Sequence, residues 1–140
     1  MRIEFIVPGE PIGKARPRVT RHGTFTPKKT RQYEELIRSC WLKQSGERFP
    51  DDVPIRMRVD AYFSVPKSLS KIRRMELIGE PHHKRPDIDN VCKIVQDACN
   101  DHAYKDDSRI YQVTASKFYA EIPMVKIVFE DYNEEENENA

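Results

Sequence analysis

Residues 54–65, PIRMRVDAYFSV, alternate without a break: Ile55, Met57, Val59, Ala61, Phe63 and Val65 are apolar, whereas Arg56, Arg58, Asp60, Tyr62 and Ser64 are polar. A period of two sends successive side chains to opposite faces of a strand, so this strand hides one face and wets the other. A sheet built around it needs apolar cover on one side only, and the rest of the chain has to supply that cover.

Two stretches repeat at the period of a helix. In residues 27–45, Tyr33, Leu36, Ile37, Cys40 and Trp41 fall at i, i+3, i+4, i+7 and i+8, and Gly46 supplies a stop. Residues 87–102 carry Val91, Ile94, Val95, Ala98 and His102 on one stripe. Arg2 to Val7 reads as a strand ended by Pro8-Gly9, and residues 109–120 and 122–130 read as two more. Residues 9–28 have no periodicity and read as a long loop or irregular hairpin; residues 66–77 read as a basic loop leading into a short helix. The expected fold is α+β: a mainly antiparallel sheet of about four strands with two main helices on one face. Either residues 54–65 or the final strand could serve as its edge. One domain over residues 1–130 suits a chain of 140 residues, and the acidic stretch 131–140 is expected to be a disordered tail.

No apolar run approaches the length of a bilayer span and Met1-Arg2-Ile3-Glu4 does not open a signal peptide, so a cytoplasmic location is expected. Cys40, Cys92 and Cys99 show neither CxxC nor Cys/His ligand spacing, which argues against a disulfide framework or structural zinc and for small buried hydrophobes. The net charge of +1 conceals an asymmetry: residues 1–86 carry 19 Lys/Arg against 10 Asp/Glu, and residues 87–140 carry 5 against 13. Within residues 14–31, Lys14, Arg16, Arg18, Arg21, Lys28, Lys29 and Arg31 meet no acid. Such a patch suits a polyanion such as a nucleic-acid backbone. Lys67, Lys71, Arg73, Arg74, Lys84 and Arg85 extend the track towards the acids. Phe25, inside the patch, suits either a core anchor or a wedge between base pairs, and burial statistics favour the anchor.

The acids concentrate in residues 84–107, KRPDIDNVCKIVQDACNDHAYKDD. One reading makes Asp87 and Asp89 helix caps and Asp106-Asp107 a solvated turn. The other gathers both ends into a divalent-metal site, with Asp89 and Lys93 side by side as i,i+4 neighbours and Asp97 and Asp101 left on the polar strip. Periodicity does not say which end of the helix the Asp106-Asp107 turn meets, so both readings stand. An EF-hand is excluded, because the loop counted from Asp87 lacks the sixth-position glycine and has Ala98 where the bidentate Glu belongs. His82, His83 and His102 are not expected to be ligands, since hard cations prefer oxygen.

The segment from His83 through Pro86-Asp87-Ile88-Asp89-Asn90 to Lys93, then Asp97-Ala98 and Tyr104-Lys105-Asp106-Asp107-Ser108-Arg109-Ile110, resembles the signature of the RusA family of Holliday-junction-resolving endonucleases. Lys14-Ala15-Arg16-Pro17-Arg18, Tyr33-Glu34 and Phe63-Ser64-Val65-Pro66-Lys67-Ser68 add to the resemblance. It implies a homodimeric Mg²⁺ enzyme, with Mn²⁺ as a substitute, that nicks four-way DNA junctions symmetrically in recombination and repair. By the same resemblance Asp87, Asp89 and Asp107 are the essential acids and metal ligands, with Asp106 beside them and Lys93 as the catalytic lysine. Where the family often has Asn-Gly after the helix, this chain has Asn100-Asp101-His102, and Arg109 replaces the usual Gln. A nucleoid-associated enzyme follows, with no membrane partner. Two rivals remain: a less selective endonuclease acting on flaps or other branched DNA, and a non-catalytic DNA-binding module whose acids only cap and turn.

Overall fold

The computed structural model describes residues 1–132. Strand β1 (Arg2–Pro8) is followed by β2 (Arg18–Thr20), β3 (Gly23–Phe25), helix α1 (Lys28–Gln44), β4 (Ile55–Ser64), short helix α2 (Lys71–Leu77), α3 (Ile88–Cys99), β5 (Ile110–Ala120) and β6 (Met124–Asp131). The main sheet has the order β1-β6-β4-β5, and β2 pairs with β3 as a separate hairpin. β6 runs antiparallel to both β1 and β4, whereas β4 and β5 are parallel. The sheet is therefore mainly antiparallel, as expected, but residues 54–65 and the final strand lie inside it and its edges are β1 and β5. A parallel pair needs a long crossover, and the stretch carrying α2 and α3 provides it.

The alternation of β4 is realised directly. Ile55, Met57, Val59, Ala61 and Phe63 join Ile3, Phe5 and Val7 of β1 and Val125, Ile127 and Phe129 of β6 in one core. Tyr33, Ile37, Cys40 and Trp41 of α1 and Val91, Ile94, Val95 and Ala98 of α3 cover that same face. The opposite face is left to water and to ion pairs such as Arg2–Glu130 at 3.0 Å and Arg58–Asp60 at 3.0 Å. All three cysteines are free and buried, and burial pushes the Cys99 thiol up to about 12.

Two helix expectations shift. Leu36 is largely exposed, and His102 lies beyond α3, its ring edge-on to Trp41 at 6.2 Å. Asp101 takes φ 61°, a left-handed conformation that no helix continues through, and it occupies the place where Asn-Gly would supply a glycine. Asp131 closes β6 and accepts the N-terminal ammonium at 2.9 Å, and the Tyr132 N–H donates to Pro54 O at 2.8 Å. The expected disordered tail thus concerns, from residue 133 onward, residues outside those described. Among the described residues, no helix is long and apolar enough to cross a membrane.

Candidate nuclease site at the start of helix α3

The chain enters α3 through a cis Arg85–Pro86 bond, and Asp87 stands at the N-cap with φ −64° and ψ 145°. Its carbonyl accepts from the Val91 N–H at 3.1 Å, yet its carboxylate makes no capping bond. Asp89, in the first turn, is exposed. Capping does not account for two carboxylates that have no hydrogen-bond or ion-pair partner among the described residues. The segment before them is held from below by Lys117, whose Nζ donates to Lys84 O at 2.6 Å and Pro86 O at 2.7 Å. Sequence reasoning passed over Lys117; the available signal was a cation in the alternation of β5 that puts Ala115 and Tyr119 against the core.

The loop after β1 closes on this helix start. The Lys14 N–H donates to Asn90 O at 2.8 Å, and a Cβ added at Gly13 would stand 2.8 Å from Pro86 Cβ and 3.2 Å from Asn90 Cβ. Only a residue without a side chain permits that approach. Loop and helix start enclose a cleft of about 650 Å³, into which Arg16, Arg85, Asp87 and Asn90 face.

Lys14, one of the expected DNA contacts, braces the loop within the chain: its Nζ meets Glu34 at 2.6 Å and Asp97 at 3.1 Å. Burial disfavours its charge, but hydrogen bonds to Glu34 and Asp97 outweigh that and raise its pKa above the ordinary value. Lys93 reaches the other oxygen of Asp97 at 3.3 Å. The expected Asp89–Lys93 pair is thereby replaced by the i,i+4 pair Lys93–Asp97. Glu34 and Asp97 join the site through contacts with the distant Lys14 that no local periodicity reveals.

The second acid pair sits elsewhere. Asp106 Oδ2 accepts from the Ser108 N–H at 3.1 Å and caps the short turn Asp107–Arg109; these bonds to Ser108 hold the Asp106 carboxyl below its usual range. The Asp107 N–H donates to Asn100 Oδ1 at 2.9 Å, and the Tyr104 hydroxyl donates to Gln96 O at 2.8 Å. Arg109 Nε donates to Asp51 O at 2.7 Å and ties the turn to a neighbouring loop. The turn is thus fixed at the C-terminal end of α3, and a helix of 12 residues separates it from Asp87 by about 18 Å. One chain does not bring Asp107 to Asp87 and Asp89, and among the described residues no group of three His, Cys, Asp or Glu side chains is placed to hold a metal ion. Asp87 and Asp89 alone fit the lighter requirement of Mg²⁺, which often takes one or two carboxylates and completes its shell with water and phosphate. Asp106 is already engaged as a cap.

The other expected DNA contacts are exposed. Arg18 and Arg21 belong to the β2–β3 hairpin and its turn, Lys28 and Lys29 open α1, Lys67, Lys71 and Arg73 flank and form α2, and Lys84 and Arg85 precede the site. Among the described residues none of these side chains pairs with an acid. Phe25 is 48% exposed on the hairpin, so it anchors no core; a strand of three residues, exposed throughout, has no core to offer it. His82 is stacked on Phe63 at 3.7 Å and edge-on to Tyr119 at 4.9 Å. Burial, followed by the charge of Lys117, holds its pKa below the ordinary value, and it serves as a core aromatic.

Comparison with known proteins covers nearly the whole chain. The sequence model of a family described as "Endodeoxyribonuclease RusA" matches residues 8–130. The chain is also 34% identical over 140 residues to a Bacillus subtilis (strain 168) protein named "Uncharacterized protein YqaN", covering 92% of this chain and 96% of that one.

Proposed function

The chain belongs to the RusA endodeoxyribonuclease family and is a hydrolase acting on DNA, and from that premise we propose that it resolves four-way junctions with Mg²⁺, as a homodimer, by paired phosphodiester hydrolysis. The observation that supports this reading is the cleft at the start of α3, where Asp87 lies beside the cations Arg16 and Arg85, with Asp89 following in the first turn of the helix; none of these four side chains has an ion-pair partner among the described residues.

Acids alone would repel a phosphodiester, and cations alone would bind it without cutting. Arg16 and Arg85 have the fork geometry that grips phosphate oxygens and can seat the scissile group against the acids. Asp87 and Asp89 would hold the Mg²⁺, which when bound supplies charge neutralisation for in-line attack by water. Lys93, on the same exposed side of α3 as Asp89, offsets charge developing on the phosphate oxygens. The Lys14–Glu34–Asp97 brace keeps the loop bearing Arg16 on the helix, so the cations do not drift from the acids. The basic hairpin and α2 provide a phosphate track for the arms of a junction. The products are ligatable nicks in DNA at recombination and repair intermediates, and the protein works in the cytoplasm on nucleoid DNA.

Four-way, flap and linear duplexes of equal length, incubated with protein and Mg²⁺ or with EDTA, test the reading. Cutting of the four-way junction well ahead of the linear duplex, abolished by EDTA, is expected. Equal cutting of four-way junction and flap, both ahead of the linear duplex, would replace resolution by general branched-DNA cleavage; equal cutting of all three would remove any selectivity for branched DNA, and no cutting with intact binding would leave a DNA-binding module.

A further inference from the structure

The hairpin beside the cleft contributes nothing to the core. Strands β2 and β3 form a sheet of their own in which every residue is exposed, yet they carry two large apolar side chains, Val19 and Phe25. The turn that joins them is held in shape: the Thr20 hydroxyl donates to Gly23 O at 3.1 Å and accepts from the His22 N–H at 3.2 Å. Arg18 stands directly opposite Phe25 in the register, so cation and ring share one face. Further along that face Thr20 stands opposite Gly23, which has no side chain to lay over the ring.

The base of the hairpin is tied to the acids. The Lys14 N–H bonds Asn90 O at 2.8 Å, and Arg16 faces the same cleft as Asp87. Two residues of chain reach at most about 7 Å and paired strands lie about 5 Å apart, so the backbone of Phe25 is within about 12 Å of that of Arg16. A duplex rises about 3.4 Å per base pair, so a phosphate gripped by Arg16 leaves the ring no more than three or four base-pair steps away.

We propose that Phe25 stacks on the base pair laid open at a branch point, and that this contact makes the enzyme choose branched DNA over unbroken duplex. This rests on the reading of the chain as a nuclease of branched DNA. The charge around the ring names its occupant: Arg18, Arg21, Lys28 and Lys29 surround it in a stretch with no acid, and nucleic acid alone joins a polyanionic backbone to flat apolar faces. Inside an intact duplex each base pair is covered by its neighbours, and a side chain enters only by prising two of them apart. Where arms meet, the stack is already interrupted, so the ring gains a partner without that cost. Arg18 on the same face takes a backbone phosphate. Phosphate contacts hold every duplex alike; the ring reads the break.

Dissociation constants for a four-way junction and for a relaxed closed-circular duplex, which has no ends, test this when measured in EDTA so that binding is read apart from cutting. Phe25→Ala is expected to weaken junction binding about tenfold, the scale of losing one base–aromatic stack, with binding of the circle and the salt slope unchanged. Phe25→Trp restores the preference, whereas Phe25→Leu, which keeps apolar bulk but no flat ring, does not. A 2-aminopurine at the branch is expected to brighten on binding wild type and not on binding Phe25→Ala. Wild-type preference in Phe25→Ala, or equal rescue by Leu and Trp, overturns the proposal and leaves the nuclease reading standing. Loss of self-association in Phe25→Ala by light scattering, with the preference intact, gives the ring to a contact between copies and overturns it too. A wild type that binds junction and circle equally refutes the branch-selective reading itself, and the proposal with it.

Discussion

The two ends of α3 each carry a pair of aspartates, and they are built for different work. At the C-terminal end, Asp106 is bonded to Ser108 and the backbone of Asp107 to Asn100, while Arg109 and Tyr104 tie the turn to its surroundings. At the N-terminal end, the backbone is as firmly held, by Lys117 and the Lys14 loop, but the carboxylates themselves are left open. The turn uses the Asp106 carboxylate for its own shape, whereas the helix start holds its acids by the main chain and keeps their oxygens for something else. The difference separates capping from chemistry more sharply than spacing does.

The largest way to break the near end without touching its charges is Gly13→Ala. The added methyl meets Pro86 Cβ at 2.8 Å, a contact with the helix entry that has to be relieved by moving the loop. A loss of about 1–3 kcal/mol is expected on the scale of overpacking, read by urea denaturation, together with a drop in junction cutting. An unchanged midpoint and rate would mean that loop and helix are not held together as described.

Arg16→Ala has a smaller effect and one of a different kind. The side chain is exposed and pairs with no acid among the described residues, so folding is unaffected, while the dependence of log affinity on log salt for a four-way junction falls by about one charge. A salt slope equal to wild type would remove the cleft from the DNA interface. Lys14→Met, by contrast, is expected to lower stability, because it removes the cation that Glu34 and Asp97 share and leaves Lys93, which pairs with Asp97 alone, to offset both carboxylates.

The smallest effect is a pH dependence. His82 is held neutral below its ordinary value of 6.5, so the folded state binds fewer protons than the unfolded one and stability falls as pH drops through that value. His82→Phe keeps the stack on Phe63 without the titration, and its melting temperature is expected to fall less than that of wild type between pH 7.5 and 5.5. Parallel falls in the two proteins would assign the pH sensitivity elsewhere.

Much of the fold was legible because it follows from local period. Ile55 to Phe63 alternate inward, and Val91, Ile94, Val95 and Ala98 form the buried stripe of α3, as read from the chain. The resemblance to a nuclease family was legible in Asp87, Asp89 and Lys93 for the same reason, since they lie within one helical turn or two. Illegible were the contacts that join distant segments: Lys14 with Asp97, Lys117 with Pro86, and the end of α3 at which Asp107 stops. Phe25 misled because a lone aromatic in a basic loop has no period to place it, and the hairpin that carries it buries nothing. The strands taken as edges misled because edge position is a property of pairing order, not of a strand's own residues.

One measurement weighs the contrast between the two ends: single-turnover cutting of a four-way junction with Mg²⁺, beside the dissociation constant for the same junction, for Asp89→Asn and Asp106→Asn. Asp89→Asn is expected to bind normally and to cut at least about a hundredfold more slowly, on the scale of removing a group that stabilises transition-state charge. Asp106→Asn should cut close to the wild-type rate, because Asn also caps. Equal losses in the two variants, or full activity in Asp89→Asn, would contradict the assignment of chemistry to Asp89 and of shape to Asp106.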